Sequence, residues 1–228
     1  MFVQLLTHTP DPERVVAAAA RLCYSDSSID ELMGRETAEQ EKLLRKILEL
    51  GHFSVLEHAG FSFGVEGISR ACSHQLVRHR LASYSQQSQR YVSHAERFDA
   101  VTPPTIADKP ELEAKYNGLL EEIHRHYREL MEAGIPAEDA RFVLPNAATT
   151  KIVITMNARE LKHFFNLRCC RRAQWEIQIM AKQMLKLARK AAPLLFATAG
   201  PGCLEGPCPE GKMTCGEIQA VRQEFSDL

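Results

Sequence analysis

Apolar residues recur at helical spacing through most of this 228-residue chain, whereas strand-like patterns occupy only two short segments. The strand patterns lie at 61–66, where apolar and polar residues alternate, and at 149–156, which is rich in β-branched residues. A sheet this small must bury one face against helices. We therefore expect an α+β fold, a single domain with a small, mainly antiparallel sheet flanked by long helices.

Helical spacing and capping residues together place the expected helices. The patterns of helix N-caps occur at Asp11 and at the pair Thr37 and Gln40. C-cap glycines follow two of the helices, at Gly51 and Gly134. The expected helices cover residues 12–22, 37–50, 68–79, 111–133, 136–141, a stretch from 158 to about 168, and 174–191.

The charge balance argues against several classes of partner. The chain has 28 Lys and Arg against 29 Asp and Glu, a formal net charge of -1, so no overall positive charge draws it to nucleic acid or to an anionic membrane. Its apolar runs are far shorter than the ~20 residues of a membrane span. Residues 1–8 lack the basic start of a secretory signal. We expect a soluble, cytoplasmic protein with no nucleic-acid or membrane partner.

The seven cysteines suit reduced thiols better than a disulfide framework, because the count is odd and Cys169 and Cys170 are adjacent. Cys203, Cys208 and Cys215 lie in a Gly- and Pro-rich stretch. We divide the chain into a main domain at 1–200 and a tail at 201–228, which this composition predicts to be mobile or to dock a partner. A zinc site in the tail is a weak alternative because the spacing contains no CxxC pair, and we expect no metal.

Positive charge is concentrated locally. No acidic residue occurs between Gly67 and Ala95, a window with four arginines and three histidines. Its dense part, residues 78–90, combines guanidinium groups, hydroxyls and amides, which suit a phosphate group. The alternatives are a solvated basic loop or an RNA-binding patch that uses Tyr84 and Tyr91 for stacking.

Two further elements carry candidate functional groups. A second acid-free window, between Glu160 and Glu176, contains Lys, His and Arg side chains that can converge with the first window in space. Arg141 adds a charge within an apolar segment, where a structural ion pair is the simpler interpretation. The segment from His52 to His58 offers two histidines and a carboxylate, but this spacing does not place both histidines on one face of a helix, so zinc is again a weak alternative.

The run Arg78-His79-Arg80, followed by seven residues and Ser88, resembles the defining motif of the flavin-dependent thymidylate synthases. The resemblance extends from about residue 50 to about residue 180, and its segments occur in that family's order. The matching segments are 51–58, Gln75, Ser83, Arg90, 140–145, 157–161, 165–168 and 173–176.

The resemblance implies a homotetramer of α+β subunits whose active sites are built from several chains. The implied reaction converts dUMP to dTMP for dTTP biosynthesis, with 5,10-methylenetetrahydrofolate as the carbon donor. The implied cofactor is FAD, reduced by NADPH, which supplies the hydride.

Site residues follow from the resemblance position by position. It implies the catalytic residues Arg168 and His52, the latter to order folate or to position a proton. The implied dUMP ligands are Gln75, Arg78, Gln86, Gln87, Ser88, Gln89, Arg90, Arg141 and Arg168. The implied FAD ligands are Ser54, Glu57, Arg78, His79, Arg80, Asn157, Arg159, His163 and Leu167.

The chemistry of the reaction agrees with these roles. Bond formation at uracil C5 places negative charge on the pyrimidine, which Arg168 can stabilise, while Arg90 and Arg141 suit the phosphate. Because the flavin supplies the redox chemistry, no enzyme nucleophile is needed, and Ser88 is interpreted as a ligand. Cys169 and Cys170 are alternative nucleophiles whose pKa values the neighbouring arginines are expected to lower.

Three positions depart from patterns common in that family. Gln86 stands where many members have Glu, Phe53 follows His52 where Glu is frequent, and Arg172 replaces a histidine of some members. An amide at 86 still donates and accepts hydrogen bonds, so we expect dUMP binding to survive that change.

Overall fold

A computed structural model describes residues 1–95 and 99–228. The strands are β1 (Phe2–His8), β2 (Gly60–Ser69), β3 (Ala82–Gln86) and β4 (Thr149–Asn157). The helices are α1 (Pro12–Leu22), α2 (Ile29–Met33), α3 (Thr37–Glu49), α4 (Arg70–Leu76), α5 (Pro104–Ala107), α6 (Pro110–Glu132), α7 (Ala137–Ala140), α8 (Ala158–Arg168), α9 (Trp175–Ala191) and α10 (Ile218–Ser226). Short 3-10 turns occupy Phe53–His58, Arg141–Val143 and Gly211–Met213.

The strands form one antiparallel sheet in the order β1-β2-β4-β3, which confirms the expected α+β class with a small antiparallel sheet. The two central strands are those that the sequence predicts. Along β4, every second residue is buried, from Thr150 to Met156. The edge strands β1 and β3 were not expected, because strands with few buried side chains lack the apolar alternation of central strands.

Strand β2 is longer than the predicted 61–66 because a glycine lets it continue through a change of register. Phe61, Phe63 and Val65 are buried in alternation, and then Ile68 is buried instead of Gly67. Gly67 has a φ of 72°, a left-handed conformation that favours glycine, and a Cβ there would lie 3.4 Å from the Met1 backbone nitrogen.

The chain packs into two compact units. The first consists of Met1–Phe2, Val65–Arg78 and Tyr84–Val153, and it contains α4 to α7. The second consists of Val3–Gly64, His79–Ser83 and Ile154–Leu228, and it contains α1 to α3 and α8 to α10.

In the second unit, aromatic side chains from the sheet, α8 and the segment after α9 form the core. The rings of Phe61 and Phe196 are 5.3 Å apart and meet edge to face, and Phe165 meets Phe196 in the same way at 5.9 Å. Such pairs add about 0.5–1.5 kcal/mol each beyond the burial of their area. This packing fixes one face of α8 against the sheet and leaves its other face exposed.

In the first unit, α4 ends at Leu76, three residues before the predicted end at His79. Ser69 caps α4, since its hydroxyl accepts a 3.0 Å hydrogen bond from the Cys72 N–H. Because Ile68 and Ser69 belong to β2, the helix is shorter than the apolar spacing indicates. Arg78 therefore lies in the turn that follows α4.

One of the two predicted caps is wrong. Asp11 is the N-cap of α1, as predicted, with Pro12 and Glu13 in the first turn, although it has a φ of 44° and makes no side-chain capping bond. Glu36, not Thr37, is the residue before α3, and the Gln40 amide donates to the Arg35 carbonyl instead of closing a capping box.

The tail is packed, so of the two predictions for it, mobility or docking of a partner, the first is wrong. Val221 and Phe225 of α10 are buried. Arg189 of α9 donates to the carbonyls of Phe196, Ala199 and Phe225 at 2.9–3.2 Å, so one guanidinium holds the tail and the end of the main domain together.

Within the described part of the chain, no helix is long and apolar enough to cross a membrane.

Candidate functional site

The first unit gathers most of the predicted dUMP ligands on the segment that follows α4. Gln75 lies half-buried on the last turn of α4, and Arg78 is exposed just beyond it. β3 then leads into Gln86, Gln87, Ser88, Gln89 and Arg90, of which all but Arg90 are half-buried. The Gln87 N–H donates to the Lys151 carbonyl at 2.9 Å, so backbone pairing with β4 fixes where this segment begins.

Two hydroxyls that the sequence analysis did not single out hold Gln86 in place. Its amide nitrogen donates to Ser73 Oγ at 3.0 Å and to Thr150 Oγ1 at 3.2 Å. The Ser73 hydroxyl donates in turn to the Arg70 carbonyl at 3.0 Å, so its oxygen can only accept from residue 86. The Gln86 amide donates both of these hydrogen bonds, which a carboxylate at this position could not donate.

The two arginines assigned to phosphate meet at one residue. Arg90 forms an ion pair with the Glu138 carboxylate at 2.7 Å, and Arg141 Nε donates to the Glu138 carbonyl oxygen at 3.0 Å. The hydroxyl of Ser88 accepts from the Arg90 N–H at 3.1 Å. Arg90 and Glu138 are 48 positions apart in the chain, and their ion pair forms beside the hydroxyl of Ser88, a predicted ligand.

A third guanidinium, that of Arg70, lies near Arg141. Burial, and then the positive charge of Arg141, lower the pKa of Arg70 from its ordinary value. Two neighbouring guanidinium groups repel each other, so a dianion bound between them would relieve the repulsion. Sequence reasoning had included Arg70 in the acid-free window without assigning it to the site.

The tyrosines proposed for RNA stacking do not form a pair of exposed platforms. Tyr84 is half-buried, and its hydroxyl donates to the Leu76 carbonyl at 3.0 Å. Tyr91 is 80% exposed, and the Arg90 guanidinium lies 5.4 Å from its ring centre.

In the second unit, three predicted FAD ligands form a stripe on α8. Arg159, His163 and Leu167 are four residues apart and exposed, because the opposite face of the helix is buried in the aromatic core. Asn157, a fourth predicted ligand, caps this helix by accepting a 2.9 Å bond from the Glu160 N–H.

The 3-10 turn Phe53–His58 packs against α8 and adds further predicted ligands. Glu57 of this turn forms an ion pair with Arg159, while Ser54 and His52 are exposed nearby in the sequence. FAD needs cations for its diphosphate, amide and hydroxyl groups for its sugars, and an apolar surface for its ring. These residues include all three kinds of group, with the exposed Leu167 side chain as the apolar surface. The residues of α8 and this turn therefore fit the cofactor.

The motif Arg78-His79-Arg80 alternates in exposure. Arg78, in the first unit, and Arg80, in the second, are both exposed, while His79 is 5% exposed. His79 contacts α8: its Nδ1 lies 3.1 Å from a Glu160 carboxylate oxygen, and Arg168 Nε donates to its Nε2 at 3.0 Å. The buried Glu160 was missed by sequence reasoning, although its place eight residues before Arg168 puts both on one side of the helix.

Burial, together with the nearby Arg168 and His163, lowers the pKa of His79 to about 4. Burial also raises the pKa of Glu160, an effect that His163 partly offsets. Because an arginine can only donate, Nε2 of His79 is the acceptor and the ring proton lies on Nδ1, facing Glu160.

This shift predicts a loss of stability in acid. Between pH about 4 and 6.5, the unfolded chain protonates His79 and the folded protein does not, so stability falls as the pH drops through this window. The pKa difference corresponds to on the order of 3 kcal/mol for His79 alone, and Glu160 acts in the opposite direction. Denaturant unfolding across this window should show a smaller loss for His79→Asn than for wild type. The same substitution at the exposed His74 serves as the control, and equal pH dependence in all three proteins would contradict the assignment.

The expected effect on Cys169 is wrong. Its thiol is buried, and burial raises its pKa to about 12, although Lys182 and Arg189 act in the opposite direction. Burial thus outweighs the neighbouring cations, and the thiol stays protonated. Across residues 1–95 and 99–228, no group of three His, Cys, Asp or Glu side chains is arranged to hold a metal ion.

The second basic window is partly neutralised within its own unit. Arg171 forms ion pairs with Glu217 and Glu224 of the tail. Arg168 is instead anchored by His79.

Comparison with known proteins decides the family. The family described as thymidylate synthase complementing protein, Thy1, matches residues 4–194. The chain belongs to this family. A flavin-dependent thymidylate synthase of Geobacter sulfurreducens is 56% identical over 230 residues, covering 100% of this chain and 99% of that protein. Proteins of the same name from Clostridium tetani (44% identical, 98% and 96% covered) and Nitratidesulfovibrio vulgaris (48% identical, 94% of each covered) are also similar.

Membership of the Thy1 family confirms the resemblance first seen in the motif Arg78-His79-Arg80 and Ser88. The matched residues 4–194 include every residue predicted for the site, so both the segment 86–90 and the α8 stripe lie within the family's shared region.

Proposed function

We propose that this protein is a flavin-dependent thymidylate synthase that methylates dUMP to dTMP, with 5,10-methylenetetrahydrofolate as the carbon donor. The observation that carries the proposal is the meeting of Arg90 and Arg141 at Glu138, beside Ser88, in a chain of the Thy1 family. Such a pair suits the phosphate of a nucleotide, because guanidinium forks match phosphate oxygens in two-point fashion.

The remaining nucleotide contacts follow from the segment that β3 leads into. Gln87, Ser88 and Gln89 present amides and a hydroxyl to the sugar and phosphate, and Gln75 and Arg78 approach from the end of α4. Gln86 is held by Ser73 and Thr150, so it acts at a fixed position.

FAD, when bound and reduced by NADPH, supplies the hydride of this reaction. The residues that would hold FAD come from the 3-10 turn, the motif and α8 with its cap. They are Ser54, Glu57, Arg78, His79, Arg80, Asn157, Arg159, His163 and Leu167. His52, the residue before the 3-10 turn, orders the folate or holds a proton.

Arg168 stabilises the negative charge that develops on the pyrimidine, and it is the residue on which turnover depends most. Cys169 is excluded as the nucleophile because its buried thiol has a pKa of about 12. Ser88 binds substrate: its hydroxyl oxygen accepts a hydrogen bond from the Arg90 N–H, and the hydroxyl hydrogen remains a donor for the nucleotide.

The protein acts as a cytoplasmic homotetramer with residues 1–200 as the catalytic domain and residues 201–228 as a tail. Large apolar side chains that are exposed in the single chain support self-association. Examples are Leu81 at 74%, Phe142 at 82% and Tyr91 at 80% exposure.

The test of this function is direct. Purified protein should be yellow or should take up FAD, and it should form dTMP from dUMP only when methylenetetrahydrofolate and NADPH are both present. Omission of each component in turn supplies the controls. Protein that binds no flavin and forms no dTMP in the complete mixture would contradict the proposal.

A further inference from the structure

A hydrogen-bonded chain of two buried side chains and the half-buried Arg168 links the family motif to α8 in the second unit. Glu160 and His79 are 6% and 5% exposed, and both have their polar atoms in contact. The chain runs from the Glu160 carboxylate to His79 Nδ1 at 3.1 Å, and from His79 Nε2 to Arg168 Nε at 3.0 Å. Arg168 is the last residue of α8.

The direction of the hydrogen bonds is fixed by chemistry. Arg168 can only donate, so His79 must accept at Nε2 and must carry its single ring proton at Nδ1. That proton then points at Glu160, whose oxygen accepts it. The tautomer of His79 is therefore set by Glu160, and the acceptor that Arg168 uses exists only while that tautomer is held.

Packing holds the imidazole ring from its sides. His79 meets the Phe164 ring edge to face at 5.0 Å and the His163 ring at 5.9 Å. Because Glu160, Phe164 and Arg168 follow one another at four-residue steps, they lie on one side of α8 and the ring lies against all three. A bond to Nε, at the base of the planar guanidinium, limits how that plane can turn.

We propose that His79 and Glu160 are positioning residues that fix the guanidinium plane of Arg168 for the pyrimidine of the substrate. This inference rests on the proposed function, in which Arg168 stabilises charge on that pyrimidine. Neither residue needs to touch the substrate to do this. A misplacement of about 1 Å at such a group lowers turnover by about 100-fold.

The test is a double-mutant cycle between residues 160 and 168. Glu160→Leu removes the acceptor and should lower kcat by about 10- to 100-fold, with little change in the KM for dUMP and with full FAD content. Glu160→Gln keeps an oxygen that accepts from Nδ1, so it should restore most of that loss. In the Arg168→Ala background, Glu160→Leu should have almost no further effect on kcat.

Glu176→Gln and Glu176→Leu are the matched controls. Glu176 is also a buried glutamate in the first turn of a helix in the second unit, and it belongs to none of the sites assigned above. We expect these variants to leave kcat near that of wild type. If Glu160→Leu does not fold, the cycle with Glu160→Gln decides, and the small loss of kcat that remains in this variant should appear only where Arg168 is present.

The outcomes separate this inference from the proposed function. Wild-type protein without dTMP synthesis overturns the function. Active wild type, a crippled Arg168→Ala variant and a Glu160→Leu variant with normal kcat overturn only the positioning role. An equal loss from Glu160→Leu in both backgrounds also overturns it, because a purely structural role gives additive effects.

Discussion

Replacing Arg168 with alanine should lower the kcat for dTMP formation by about 100- to 1,000-fold, the range for loss of one preorganised charge-stabilising donor. The reason is that the negative charge on the pyrimidine then develops without a cation in place. FAD content and oligomeric state should stay as in wild type, because Arg168 lies at the end of α8 and not in its buried core. Single-turnover formation of dTMP, measured beside the flavin absorbance, checks both expectations.

Arg172→Ala is the control for that experiment. Arg172 is an exposed arginine four positions away, with no assigned role, and its loss should leave kcat near wild type. Arg168→Lys should recover little activity, since a lysine keeps the charge but lacks the fixed guanidinium plane that binds His79. Near-normal turnover by Arg168→Ala would remove this residue from the chemistry.

Replacing Arg90 with alanine should raise the KM for dUMP by about 10- to 100-fold, since a hydrogen bond to a charged group contributes about 1.5–3 kcal/mol. Arg141→Ala should act in the same direction. Because both arginines bind Glu138, the double variant should lose less than the product of the two single effects.

If Arg90 binds the phosphate, its replacement should also change the substrate preference of the enzyme. Its preference for dUMP over deoxyuridine should shrink, because only dUMP carries the group that is no longer bound. Arg125→Ala, which removes an exposed, ion-paired arginine from α6, is the control and should leave the KM unchanged. An Arg90 variant with an unchanged KM and an unchanged preference for dUMP would contradict the assignment.

Sequence alone located the family motif and the helices that present its partners, because these are local patterns. The exposed stripe of Arg159, His163 and Leu167 follows directly from four-residue spacing on α8. What sequence could not predict were the contacts over long separations. Glu160 meets His79 across 81 positions, and Glu138 meets Arg90 across 48. Nothing in the local pattern around either glutamate points to its partner.

Burial was the second quantity that sequence could not supply. Cys169 lies beside arginines in the chain, so a lowered pKa was expected, but the thiol is buried and desolvation dominates. The same limit explains the edge strands β1 and β3, whose side chains are too exposed to give an alternating apolar pattern. The prediction of a mobile tail was wrong for the same reason, since the composition of the tail does not reveal that Val221 and Phe225 are buried.

The central claim is that arginines far apart in the sequence bind one dUMP beside the flavin. A crystal structure of the FAD-loaded protein soaked with dUMP tests it most directly. We expect the guanidiniums of Arg90 and Arg141 on the phosphate and that of Arg168 on the pyrimidine, whichever subunits supply them. A bound dUMP whose phosphate touches neither Arg90 nor Arg141, or whose pyrimidine does not meet Arg168, would contradict it.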